Sequence, residues 1–359
     1  MVVARSTPLL DEHRSLGARL TDFGGWEMPL QYSGVVSEHT AVRTSAGLFD
    51  VSHLGKLRVE GGGAGDALQK ALTADVISLP EGRATYALVL TDDGGCIDDV
   101  FAYRVGGDEW LVVPNASNVS AVADAIVEAG AQPVDEWDRW AILALQGPES
   151  FDVFARAFPQ TDITGLELHA WSEMGFGSAP GIVARTGYTG EKGVELYVPA
   201  ADALAVWRSL LDAGATPAGL GARDTLRLEM GYALYGHEIT TDVNPLEAGL
   251  GWVLAWDTPF RGRDVLEKVK TDKPARKLFG VRCTERGVPR QGHRVLGADG
   301  ALGEVTSGNF SPTLQTGIAL ALGARSTAPE EGAEVAIEAR GRQIEGVIVK
   351  PPFIQKGKK

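Results

Sequence analysis

Two carboxylates stand side by side behind a glycine pair in Gly94-Gly95-Cys96-Ile97-Asp98-Asp99-Val100. Asp92-Asp93-Gly94-Gly95 reads as a turn, with strand-like Leu88-Val89-Leu90 before it and Val100-Phe101-Ala102-Tyr103 after it. Neighbouring side chains in a strand point to opposite faces. Asp98 and Asp99 therefore cannot both face solvent where the sheet packs on one side. One is pushed toward an interior or a cleft, where a carboxylate is costly without a partner or a function. A polar hairpin end with both aspartates solvated is the alternative.

A second stretch, Thr186-Gly187-Tyr188-Thr189-Gly190-Glu191-Lys192-Gly193-Val194-Glu195, holds three glycines in seven residues. Such a loop lets backbone approach something closely. No Gly-Lys-Ser/Thr follows, so it is not a P-loop, and a strand rather than a helix follows, so it is not a dinucleotide fingerprint. Tyr188 offers an aromatic face. Glu195 sits among apolar strand residues, where its carboxylate can accept two parallel hydrogen bonds from an amidine-like edge. A decorated hairpin is the plainer reading. In the third stretch, Gly219 to Glu229, a glycine-rich start leads into a helix, with Arg223 and Arg227 four apart on one face. An exposed, salt-bridged helix face would look the same.

The elements around these stretches follow from pattern. A strand runs from Lys56, is broken at Gly61-Gly62-Gly63, and gives way to a short helical face at Leu68, Ala71 and Leu72. Strands are expected at Trp110–Val113 and Ala141–Leu145. Helices are expected over 118–129, 148–158 and 201–213, with apolar residues in phase and Gly130 and Gly214 closing two of them. Residues 1–53 read as irregular around Phe23-Gly24-Gly25-Trp26-Glu27-Met28-Pro29. After about residue 275 strand patterns take over without a convincing helix, with hairpin turns at Asp299-Gly300 and Arg340-Gly341. Strands and helices mix without strict alternation before that point, so α+β with a separate C-terminal all-β unit is expected.

Bulk composition narrows the function. The chain has 359 residues, 44% hydrophobic and 23% charged, with a net charge of −13. That length suggests two or three domains, and that charge argues against nucleic-acid binding. No apolar run spans a membrane, and Met1 to Pro8 lacks the apolar core of a signal peptide. Cys96 and Cys283 are far apart, which fits a reducing cytoplasm and buried, unpaired thiols. The six histidines show no metal-binding spacing, so no metal is expected.

Together these stretches resemble the aminomethyltransferase (T-protein) family of the glycine cleavage system. The resemblance covers nearly the whole chain. It rests on Thr7-Pro8-Leu9, Phe23 to Pro29, Val42-Arg43, Leu48-Phe49-Asp50-Val51-Ser52-His53, Gly94-Gly95 with Asp98-Asp99, and Gln146-Gly147-Pro148. It continues through Thr186 to Glu195, Gly219 to Glu229, Leu234-Tyr235-Gly236 and Thr306 to Leu314. It implies a three-domain folate-binding fold: 1–54 with 137–245, 55–136, and a barrel-like β domain over 246–359. It further implies Asp99 as the catalytic aspartate, and Tyr86, Tyr103, Asn115, Tyr188, Glu195, Arg223 and Leu54 around tetrahydrofolate. Leu54 stands where the family usually has Met, and a Leu still packs on a flat ring. The tail from Lys350 to Lys356 lacks a tyrosine that closes the site in some relatives.

The implied reaction transfers the methylene carbon from the aminomethyl-lipoyl arm of an H-protein to tetrahydrofolate, with release of ammonia. The implied protein is a cytoplasmic monomer with no metal, no nucleic acid and no membrane. Two alternatives share the scaffold. A folate-dependent demethylase of a small methylated amine or sulfur compound usually carries a flavin domain, for which this chain has no room. An iron–sulfur assembly factor has a cysteine where this loop reads Thr186 to Glu191. An acidic partner on an acidic chain calls for a local basic patch. Arg286, Arg290, His293 and Arg294, with Arg276 and Lys277 upstream, are the expected one.

Overall fold

In a computed structural model of the chain, residues 4–339 and 341–355 are described. Met1–Val3 of the N-terminal stretch, Arg340 of the expected turn and Lys356 of the tail lie outside them. The chain divides into two compact units. One comprises residues up to Ala71, Asp75–Ala87 and Asp99–Arg223; the other comprises Leu72–Ala74, Leu88–Asp98 and the chain from Asp224 onward.

A six-stranded sheet in the first unit runs Trp171–Gly175, Pro180–Ala184, Gly193–Pro199, Trp140–Gln146, Gly47–Asp50 and Thr216–Pro217. Trp140–Gln146 is antiparallel to both neighbours and buried from Ala141 onward, as its unbroken Ala-Ile-Leu-Ala-Leu run requires. Leu143, Leu145, Val194, Leu196 and Val198 pack with Phe151, Phe154, Val206, Trp207 and Leu210 of the helices Ser150–Ala157 and Ala203–Asp212. Each such large side chain contributes roughly 1.5–3 kcal/mol on burial. This core occupies one sheet face, so Glu195 and Tyr197 point to the other by strand alternation.

A five-stranded sheet runs Ala84–Leu90, Cys96–Gly106, Glu109–Val113, Leu57–Glu60 and Val134–Asp135. The helices Ala64–Ala71 and Val119–Ala129 pack on each other. Gly130 closes the second at φ 110°, as its position predicted.

The N-terminal region is more regular than its sequence suggests. It holds a three-stranded sheet of Arg5–Ser6, Trp26–Gln31 and Arg19–Phe23, and the helices Leu10–Ser15 and Val35–Thr44. The last of these buries Glu38, His39 and Val42, two of them polar, so no apolar stripe announces it.

In the second unit a closed antiparallel barrel runs Arg276–Cys283, Thr316–Ala324, Gly300–Ser311, Arg294–Gly297, Glu334–Ala339 and Arg342–Val349. Phe279, Val281, Val295, Val305, Ile337 and Ile348 are among the side chains that form its core. Gly297 pairs with Gly300, so the hairpin turn is Ala298-Asp299, one residue earlier than its Asp-Gly signature suggests. Among the described residues no helix is long and apolar enough to cross a membrane.

Candidate active site

Strand alternation separates the aspartate pair. Both lie in Cys96–Gly106, where Asp98 is fully buried and Asp99 keeps partial exposure. The register that pairs Phe101 with Val113 sets Asp99 opposite Asn115. Asn115 Nδ2 donates to Asp99 Oδ1 at 2.9 Å, and the Tyr86 hydroxyl donates to Oδ2 at 3.0 Å. Both oxygens are thus held by neutral donors. Burial raises the Asp99 pKa; the bonds from Tyr86 and Asn115 and the nearby Arg223 charge oppose that rise. Phe101, two residues on and on the same face, lies 5.8 Å from the Tyr86 ring and 6.2 Å from Tyr103. The i, i+2 spacing from Asp99 is the signal that marks Phe101, and the sequence reading did not use it.

Glu195 lies between Ala144 and Ala184 on its two neighbouring strands, and these small residues leave room for a carboxylate. Thr186 Oγ1 donates to its Oε2 at 2.5 Å. Burial raises the Glu195 pKa, opposed by the Thr186 hydrogen bond and the Arg223 charge. The loop between them is pinned from beneath by Gln146, which is fully buried. Its Nε2 donates to the Thr186 carbonyl at 3.1 Å and its Oε1 accepts from Thr189 Oγ1 at 2.9 Å. A Cβ on Gly187 would come within 2.0 Å of Gln146 Oε1, and one on Gly193 within 2.5 Å of Nε2. The close approach that the glycines predicted is therefore to Gln146. Arg43 completes the clamp, donating to the Thr189 carbonyl and to Glu191 at 2.8 Å each.

Arg223 sits in the first turn of the helix Leu220–Glu229, its guanidinium 4.9 Å from the Tyr188 ring centroid. Burial lowers its pKa, and the charges of Glu195, Tyr188 and Asp99 oppose this. One cation therefore feels both carboxylates. Among the described residues its Nη1 is buried without a hydrogen-bond partner, as is His53 Nδ1. Burial and the Arg223 charge push His53 down to about 3, so it is neutral. Glu38 carries the loop ahead of Arg223: its carboxylate, fully buried, accepts from the Tyr32, Gly34 and Gly219 amides at 2.6, 2.9 and 2.9 Å. It belongs to the helix whose polar pattern hid it.

The structure thus brings Asp99, Tyr86 and Asn115 into direct contact and sets Tyr188, Glu195 and Asp99 around the Arg223 charge. Leu54, Tyr86, Asn115, Tyr188 and Arg223 are each partly exposed. Tyr103 differs: it is fully buried, and its hydroxyl meets Tyr197 and Thr186. Among the described residues no group of three or more His, Cys, Asp and Glu could hold a metal ion. Cys96 and Cys283 are buried and are not joined in a disulfide. In the basic stretch, Arg276 is tied to Glu247, Arg294 to Glu338, and Arg290 to the Gly308 carbonyl and Asn309.

A tetrahydrofolate has a flat ring, an amino-pyrimidine donor edge, and carbonyl and carboxylate acceptors. Tyr188 supplies an aromatic face, and Glu195 an acceptor. Arg223 holds a buried donor that is unpaired among the described residues. The residues present fit the molecule.

Residues 9–258 match the GCVT N-terminal domain, and residues 276–355 match the glycine cleavage T-protein C-terminal barrel domain. An aminomethyltransferase of Mycobacterium leprae is 46% identical over 357 residues, covering 97% of this chain and 96% of its own length. One from Herpetosiphon aurantiacus is 43% identical over 355 residues, covering 97% and 98%. The crystal structure of the glycine cleavage system aminomethyltransferase T from Bartonella henselae superposes with a TM-score of 0.91 at 32% identity, over 98% of each chain.

Proposed function

The chain belongs to the glycine cleavage T-protein family, and from that premise we propose that it transfers the methylene carbon from the aminomethyl-lipoyl arm of an H-protein to tetrahydrofolate, with release of ammonia and formation of 5,10-methylenetetrahydrofolate. Tetrahydrofolate, when bound, supplies the nitrogens N5 and N10 that take up the carbon. The protein supplies position, charge and proton handling. Asp99 sets a negative charge beside the developing cationic centre and takes up a proton there. Tyr86 and Asn115 fix both its oxygens, so the carboxylate needs no reorganisation when charge develops.

Around it, Tyr188, Phe101 and Leu54 offer flat or apolar contact. Glu195 accepts from the amino-pyrimidine edge, and Arg223 donates to a ring carbonyl or to the glutamate tail. Tyr103 acts from behind, through Thr186. The observation that carries the reading is that Asp99 is held by two neutral donors with no ion pair to it among the described residues, so its charge stays available.

The six-stranded and five-stranded sheets are read as the cores of the first two of the family's three domains, 1–54 with 137–245 and 55–136, and the barrel as the core of the third, 246–359. The protein works as a cytoplasmic monomer with no metal, and the H-protein docks on the basic stretch of the barrel. A coupled assay tests the reading: ammonia and methylene-folate are followed from aminomethylated H-protein, with free methylated amines as control substrates. Turnover of the amines but not of the H-protein conjugate would refute it.

A further inference from the structure

Behind Glu195 runs a row of hydroxyls that begins at Tyr197. The Tyr197 hydroxyl donates to the Tyr103 hydroxyl at 2.9 Å, Tyr103 and Thr186 Oγ1 are 3.3 Å apart, and Thr186 Oγ1 donates to Glu195 Oε2 at 2.5 Å. Proton counting fixes the direction. Thr186 has a single hydroxyl proton and spends it on Glu195, so toward Tyr103 it is the acceptor. Tyr103 therefore donates to Thr186 and accepts from Tyr197. Every hydroxyl donates once, all point the same way, and the chain ends on a carboxylate oxygen.

Burial makes that direction costly to reverse. Tyr103, Tyr197 and Thr186 are 0%, 2% and 5% exposed, and a misdirected hydroxyl would leave a buried partner unsatisfied. The Thr186 backbone is held as well, by Gln146. Register places Tyr197 opposite Ile142 and Ile182, so no other polar side chain competes from the adjacent strands. Glu195 Oε1 takes no hydrogen bond among the described residues and stands ready for a ligand.

We propose that Tyr197, Tyr103 and Thr186 are positioning residues that fix Glu195 as a hydrogen-bond acceptor and so select ligands that present a donor edge to it. Resting on the folate reading, this makes the 2-amino group of the pterin the feature selected. A ring with hydrogen in its place loses the bond that the relay prepares. Successive hydrogen bonds polarise one another, so the effect reaches back to Tyr197, which touches no ligand.

Calorimetry on the whole chain, with tetrahydrofolate and its 2-desamino analogue, tests the assignment. Thr186→Val keeps shape and removes the last donor; it should weaken tetrahydrofolate binding roughly 10- to 100-fold. Tyr197→Phe, two steps back, should weaken it roughly 2- to 5-fold. Thr186→Ser keeps a hydroxyl and should recover most of the loss. The 2-desamino analogue should bind wild type and the two weakened variants alike, and the KM for folate should move more than kcat.

Tetrahydrofolate affinity within about twofold of wild type in both Thr186→Val and Tyr197→Phe would overturn the relay. So would equal losses for both ligands, which would mean general damage to the loop. Should Thr186→Val fail to fold by circular dichroism, Tyr197→Phe across the two ligands decides. A wild-type protein that binds no tetrahydrofolate would overturn the folate reading itself, a result distinct from failure of the relay.

Discussion

Replacing Asp99 with Asn isolates its charge from its shape. Its two hydrogen bonds come from Asn115 Nδ2 at 2.9 Å and the Tyr86 hydroxyl at 3.0 Å. An Asn keeps its oxygen toward Asn115 and turns its NH2 toward Tyr86, whose hydroxyl rotates to accept. Both bonds and the volume survive. Burial raises the Asp99 pKa, so the folded state binds more protons than the unfolded one between the two values. Stability contributed by Asp99 therefore falls as pH rises through that window. At neutral pH the amide variant should melt at or above the wild-type temperature.

Turnover should fall on the order of 10²- to 10⁴-fold, the scale of a lost acid–base group, or about 3–5 kcal/mol of barrier. The reaction needs the carboxylate, so wild-type activity should rise with pH through the elevated Asp99 pKa, and this acid limb should vanish in the variant. The assay is the coupled one above, beside thermal melting and folate calorimetry. Turnover within about tenfold of wild type would refute the catalytic assignment. A fall of several degrees in melting temperature would show a structural role instead. Loss of turnover in Asp98→Asn with retention in Asp99→Asn would move the chemistry to the other strand face.

Glu195→Gln and Arg223→Ala should each weaken tetrahydrofolate binding by about 1.5–3 kcal/mol, the range for hydrogen bonds to charged groups, with smaller effects on kcat; unchanged calorimetric affinity in both would remove them from the site. Gly187→Ala puts a Cβ within 2.0 Å of the buried Gln146 Oε1 and should cost about 1–3 kcal/mol, so an unchanged melting temperature would contradict the packing described. Burial pushes Lys56 from 10.5 down to about 7; its cost is then full below pH 7 and fades as pH rises toward 10.5. Lys56→Met should therefore gain stability relative to wild type most at or below pH 7, and denaturant titrations showing a pH-independent difference would refute this. Arg290→Glu with Arg294→Glu should raise the KM for H-protein and flatten its salt dependence without moving the KM for folate, and identical H-protein kinetics across a salt series would place docking elsewhere.

Short-range pattern carried much of this protein. Apolar periodicity located the helices Val119–Ala129, Ser150–Ala157 and Ala203–Asp212, and glycines at 130 and 214 marked the ends of the first and last. Strand texture marked the barrel, and alternation required the aspartate pair to divide between two faces. Polar burial was invisible to the same reading. Glu38 and His39 fill the buried face of Val35–Thr44, so that helix has no apolar stripe, and Gln146 looks like any strand-end residue until Gly187 and Gly193 are seen to close on it.

What the sequence determined by itself was the set of local conformations and the glycine-rich loops with their chemical residues, because propensity, turn chemistry and periodicity act within a few residues. Only the tertiary structure decided that Asp99 rather than Asp98 stays accessible, that Arg223 feels Asp99 and Glu195 together, and that a one-way row of hydroxyls ends on Glu195. Those outcomes depend on desolvation and on hydrogen-bond partners up to 94 positions away in the chain, and it is sheet register, a long-range property, that brings such partners within reach.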